Sequence, residues 1–153
     1  MPERSPELAE RLGAFEERCR EAGFPLTVQR RVILETMLLR DDHPTAEQIY
    51  DTLPARVPEI SRATVYRALE SLVQLGAIGR AHSLGPATRF DANAGHHHLI
   101  CVRCNRVMDF SDARLDDLPL PDRSLTNFQT VDYSVHFTGL CAECRQEPAP
   151  TTP

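Results

Sequence analysis

Three histidines, His96, His97 and His98, run almost directly into a Cys101-x-x-Cys104 pair, and a second pair, Cys141-x-x-Cys144, follows beyond residues 105–140. Four thiolates from two such knuckles complete a closed tetrahedral zinc site of the structural kind. Imidazoles outside that set are left to bind a second, exchangeable metal. The spacing therefore points to two metal sites, one that holds the fold and one that senses. Disulfide bridges among the pairs are the alternative, but five cysteines in a reducing compartment favour metal. The fifth, Cys19, lies on an apolar helical stripe without a nearby thiol or histidine and reads as a small core residue.

Other chemistries fit less well. A His-Glu-x-x-His zinc hydrolase motif is absent. A nucleobase deaminase needs His-x-Glu and a proline before its Cys-x-x-Cys, where this chain has Ile100. No nucleophile is paired with a base, so the chain does not read as an enzyme. A zinc-binding thiol-disulfide protein is the alternative from another class, disfavoured because neither Cys-x-x-Cys sits in a redox βαβ setting.

The elements that must position these residues are legible in outline. With 153 residues, 41% of them apolar, the chain is long enough for one ordinary domain or two small ones. Its acidic start, with no apolar run of signal-peptide or membrane-span length, places it in the cytoplasm with no membrane partner. The net charge of −5 argues against indiscriminate nucleic-acid binding. Yet between Pro54 and Arg80 the arginines Arg56, Arg62, Arg67 and Arg80 outnumber the glutamates Glu59 and Glu70, which marks a local basic face.

Leu8, Leu12, Phe15 and Cys19 recur at helical spacing, predicting a helix over 7–22 stopped by Gly23. Thr27 offers an N-cap to a helix running to about Arg40 that buries Val32, Ile33, Leu34, Met37 and Leu38. Thr45 and Gln48 form a capping box for a short helix. Ser61 caps a helix over 62–75 ended by Gly76, with Val65, Leu69, Leu72 and Val73 facing inward. Strands over 77–82 and 87–91, joined by a turn at 83–86, complete a winged helix-turn-helix. In such a unit the residues at the start of the recognition helix enter the major groove, so Arg62, Thr64, Tyr66 and Arg67 are the candidate contacts to double-stranded DNA. Beyond Arg89 the chain turns β-rich, with strands expected over 99–102, 107–110 and 130–138, a poor helix start in the proline-bearing stretch 116–127, and a disordered tail over 147–153.

These motifs in this order, Leu26 to Arg30, His43-Pro44-Thr45-Ala46, Ser61 to Arg67, His96 to Cys104, Asp109-Phe110 and Cys141-x-x-Cys144, resemble the ferric uptake regulator family of metal-dependent bacterial repressors. The resemblance spans about residues 8–146 and is strongest to the peroxide-sensing branch. It implies an α+β chain: a winged helix-turn-helix DNA-binding domain over 1–88, a hinge over 89–95, and a small α/β dimerisation and metal-binding domain over 96–146. The partners it implies are an inverted-repeat operator and a second copy of the chain.

It further implies that Cys101, Cys104, Cys141 and Cys144 hold structural zinc, and that His43, Asp91, His96, His98 and Asp109 bind a regulatory iron(II) or manganese(II). Three nitrogens and two oxygens without a thiolate suit those ions, and leave a sixth octahedral position open to peroxide. In a strand, His96 and His98 share a face and His97 points the other way, as a solvent or second-shell residue. By the resemblance His43 and His96 are the residues oxidised, and Asp109, where iron-uptake repressors usually carry Glu, goes with peroxide sensitivity. Positions aligned with a further metal site hold Gly95, His97, Asp116 and Tyr133, and glycine and tyrosine there argue against that site. An iron-, manganese- or zinc-uptake repressor of the same family is the runner-up.

Overall fold

The computed structural model describes residues 6–93, 95–121, 127–130 and 133–146. They fall into two compact units: 6–81 with 86–93, and 82–85 with 95–146.

The first unit carries four helices, α1 (Pro6–Glu21), α2 (Val28–Leu38), α3 (Ala46–Thr52) and α4 (Arg62–Gln74), and the antiparallel pair β1 (Gly79–Ala81) and β2 (Arg89–Asp91). Each expected cap is present. The Thr27 side chain accepts from the Arg30 N–H, Thr45 and Gln48 close the reciprocal capping box, and the Ser61 side chain accepts from the Thr64 N–H. After α4, Gly76 takes φ +65°, the Gly76 N–H donates to Val73 O, and the Ala77 N–H donates to Leu72 O. This is the left-handed stop that a side chain would strain.

The apolar stripes meet in one core: Leu8, Leu12, Phe15 and Cys19 from α1, Ile33, Leu34 and Met37 from α2, Ile49 from α3, Val65, Leu69 and Leu72 from α4, and Phe90 from β2. Each fully buried large side chain contributes about 1.5–3 kcal/mol. Val32, Leu38 and Val73, expected inside, are half-buried at its margin. α2 also buries Glu35, which the pattern did not foresee; Arg56 donates to it, so the carboxylate is not left alone in the core.

The second unit holds β3 (His97–Cys101), β4 (Val107–Phe110), α5 (Ala113–Asp116), β5 (His136–Gly139) and α6 (Ala142–Gln146). The sheet order is β4-β3-β5, antiparallel between β3 and β4 and parallel between β3 and β5. Several expectations change. The strand foreseen over 99–102 is β3 from His97 to Cys101, the strand foreseen over 130–138 is the shorter β5, and the short helices α5 and α6 were not foreseen. The tail 147–153 lies outside the described residues. No helix among the described residues is long and apolar enough to cross a membrane.

Candidate metal centres and nucleic-acid face

The thiol site is built by three elements. Cys101 closes β3, Cys104 lies in the turn beyond it, and Cys141 and Cys144 bracket the start of α6. The parallel register that sets Cys101 beside Gly139 brings the knuckles together. All four sulfurs lie within 4.8 Å of one another, and Cys104 Sγ is 3.8 Å from Cys141 Sγ. Four sulfurs about 2.3 Å from a tetrahedral zinc must stand about 3.8 Å apart, whereas a disulfide needs about 2.0 Å. The residues therefore fit zinc, and the cysteines are free thiols.

Backbone amides of Cys141 and Cys104 aimed at the Cys101 sulfur lower its pKa to about 6. Burial, then the neighbouring thiols, push Cys144 up to about 12. Four sulfurs within 4.8 Å of one another are all ionised together only around a cation that offsets their mutual repulsion. Two contacts missed at the sequence level brace the knuckles. Arg106 forms a bidentate pair with Glu143 at 2.8 and 2.7 Å, and Arg103 donates to the Cys144 carbonyl. Arginines inside and beside the first Cys-x-x-Cys and a glutamate inside the second were the available signal.

The five residues implied for the regulatory metal form two groups, one in each unit. In the first, His43 and Asp91 are buried, with His43 Nε2 3.6 Å from Asp91 Oδ2. His43 has φ +49°, a left-handed backbone unusual for a residue that is not glycine. Arg89 donates to the His43 carbonyl at 2.9 Å, the Phe90 N–H donates to Pro44 O, and the Asn93 N–H donates to Asp91 Oδ1 at 2.8 Å.

In the second group, His96 Nε2 lies 3.0 Å from His98 Nε2 and 3.1 Å from Asp109 Oδ1. His98 and Asp109 face each other across the β3–β4 ladder. Ligands about 2.1 Å from one ion and at right angles to each other stand about 3 Å apart, so His96 stands at ligand spacing from both His98 and Asp109.

Of the two readings of His97, solvent-facing or second-shell, the first falls away: the residue is buried at 5% exposure. Its Nδ1 accepts from the Val135 N–H at 3.3 Å, so the proton on Nε2 is donated to Asp116 Oδ1 at 3.1 Å. Tyr133 donates to the carbonyls of Leu115 and Asp116 and accepts from the Leu118 N–H. With no side chain at Gly95, the positions of the further site form a hydrogen-bonded clasp among themselves.

On α4, Tyr66 and Arg67 are exposed. Thr64 shares a hydrogen bond with the Ser61 hydroxyl. Arg62 is exposed but engaged: its Nε donates to Glu47 at 2.9 Å and its guanidinium lies over the Tyr50 ring at 4.4 Å. Thr27, Gln29, Arg30, Thr64, Arg67 and Ala68 line a groove of about 170 Å³ between α2 and α4. Arg30, at the start of α2, is a further cation on this face that sequence reasoning passed over.

The profile of the ferric uptake regulator family matches residues 21–138. The peroxide-responsive repressor PerR of Staphylococcus epidermidis is 33% identical over 129 residues, covering 84% of this chain and 86% of that protein. Among solved structures, the ferric uptake regulator of Pseudomonas aeruginosa with manganese superposes with TM-score 0.67 at 27% identity, covering 83% of this chain and 97% of the other. The ferric uptake regulator of Helicobacter pylori shares the fold at TM-score 0.75 and 18% identity, covering 97% of this chain and all of the other.

Proposed function

The chain belongs to the ferric uptake regulator family, whose members are metal-dependent, DNA-binding repressors and not enzymes, and from that premise we propose that it is a cytoplasmic peroxide-responsive repressor switched by iron(II) or manganese(II). The donor set carries the reading: His43, Asp91, His96, His98 and Asp109 offer nitrogen and oxygen and no thiolate, with two carboxylates to neutralise a divalent ion. The likeness to a peroxide-responsive repressor at 33% identity supports the subfamily.

In this reading His43, Asp91, His96, His98 and Asp109 hold one ion. Its binding favours the DNA-binding state of the protein, in which all five ligands are satisfied. Moving an equilibrium from mostly open to mostly closed takes roughly 5 kcal/mol of differential affinity. When bound, iron(II) supplies the electron that turns peroxide into an oxidant beside the imidazoles. Oxidation of His43 or His96 converts a nitrogen ligand into one that no longer holds the closed state.

Family members bind operator DNA as dimers. The sheet edge at β5 is exposed throughout, with Phe137 and Leu140 on or beside it, which supports pairing through the second unit. Two recognition helices set about one helical turn apart, or a multiple of it, would then read an inverted repeat through Arg62, Thr64, Tyr66 and Arg67.

The deciding experiment is fluorescence anisotropy on the gene's own promoter fragment. Zinc-loaded protein is titrated anaerobically with iron(II), manganese(II) or zinc, then treated with peroxide. Binding with iron and with manganese, and release by peroxide from the iron form alone, is the expected result. Iron-dependent binding indifferent to peroxide makes the protein an iron-uptake repressor; a response to manganese or zinc alone makes it the corresponding uptake regulator. Binding without any added metal overturns the sensing site.

A further inference from the structure

Arg11 lies half-buried on α1, between the core residues Leu8 and Leu12. Its guanidinium does not join the acidic residues of its own helix. It reaches the chain just past β2, where Nη2 donates to the Ala92 carbonyl and Nη1 donates to Asn93 Oδ1 at 3.1 Å. Asn93 in turn donates its N–H to Asp91 Oδ1 at 2.8 Å, and Asp91 Oδ2 faces His43 Nε2 at 3.6 Å. A continuous run of polar contacts thus leads from the first helix to a buried carboxylate and imidazole, all within the first unit. The planar fork of arginine holds two acceptors on successive residues in a fixed geometry, whereas the rotatable ammonium of lysine fixes neither direction. The burial of α1 is already supplied by Leu8, Leu12, Phe15 and Cys19, so the guanidinium's work is directed at the turn.

We infer that Arg11 is a positioning residue for the regulatory metal, fixing the 91–93 turn so that the Asp91 carboxylate stands ready beside His43 before the ion arrives. The inference rests on the reading of Asp91 as a ligand. Without Arg11 the ordering of that turn falls to the binding step, and losses of this outer kind typically lower metal affinity 10- to 100-fold. A cleft of about 400 Å³ lined by Glu7, Arg11, Arg40, Asp41 and Asn93, among others, lets water reach the acceptors that a truncated side chain would abandon, so the variant keeps its fold.

The test compares zinc-loaded, full-length wild type, Arg11→Ala, Arg11→Lys and Asn93→Ala. Manganese(II) affinity is read by the paramagnetic resonance of the free ion, and amide exchange of Asp91 to Asn93 is read without manganese. Arg11→Ala is expected to weaken manganese binding about 10- to 100-fold and to speed exchange at Asn93 even before metal is added. The thermal midpoint and zinc content should stay at wild-type values. Arg11→Lys should recover part of the affinity, and Asn93→Ala should lose part of it. Unchanged affinity in Arg11→Ala, with the wild type binding manganese, overturns the inference. So does a loss that is matched by an equal fall in thermal stability, since that would be a purely structural role. A wild type that takes up neither manganese nor iron overturns instead the ligand assignment on which the inference stands.

Discussion

His43 concentrates the local physics of the sensing group in one residue. It is 3% exposed, its backbone sits in the left-handed region, and its ring faces Asp91. A buried side chain on a left-handed backbone marks a candidate functional position. His43→Ala is expected to weaken manganese(II)-dependent operator binding at least about tenfold, or ~1.4 kcal/mol, with zinc content unchanged; anisotropy beside metal analysis would show it. The residue types were legible because ligand chemistry is written in side-chain identity: the four cysteines converge as their spacing implied, and His96, His98 and Asp109 meet. His97 was legible only as one of two alternatives, solvent-facing or second-shell, because its surroundings are not local. The amide that fixes its ring belongs to Val135 and its acceptor to Asp116, and no pattern near His97 announces either.

At the scale of elements, helices were read to within a residue or two because their signals are short-range: a cap, a stripe, a glycine stop. Thr45 is the clearest case. Its side chain accepts from the Gln48 N–H at 3.3 Å while Gln48 Oε1 accepts from the Thr45 N–H at 2.9 Å. Thr45→Ala removes half of that box and should lower stability by about 1 kcal/mol, measurable as a shifted midpoint in denaturant at unchanged slope. Because α3 also carries Glu47 and Tyr50, against which Arg62 rests, the substitution loosens the support of a residue proposed to contact DNA. β5 was read too long because its pairing with β3 is parallel and distant in sequence. α6, like α5, was missed because helices of five and four residues show no periodicity. Both are set by tertiary partners that propensity does not see.

For the whole molecule the two units differ in what holds them. The first has a continuous apolar core. In the second, the described cluster consists of Cys101, Cys141 and Cys144 with Met108 against them, and a core this small needs a staple. Structural zinc contributes on the order of 10 kcal/mol to such folds. Chelation, or Cys101→Ser or Cys144→Ser, should therefore erase amide protection in β3 to β5 and leave the helices of the first unit protected, as hydrogen exchange followed by mass spectrometry would report; protected strands without zinc would refute it. The division into a helical and a β-rich half was legible as a change in composition.

The parallel register of β3 with β5 has a consequence for the order of events during synthesis. Every residue of the first core lies at or before Ala92, whereas Cys141 and Cys144 are translated after residues 105–140 have followed the first knuckle. A nascent chain thus can carry a finished helical unit while Cys101 and Cys104 still wait for their partners, and the wait is set by translation at about 5–20 residues per second, not by loop closure, which is far faster. Zinc loading is then the final act of maturation, and in zinc-starved cells newly made molecules would accumulate with one half folded and the other open.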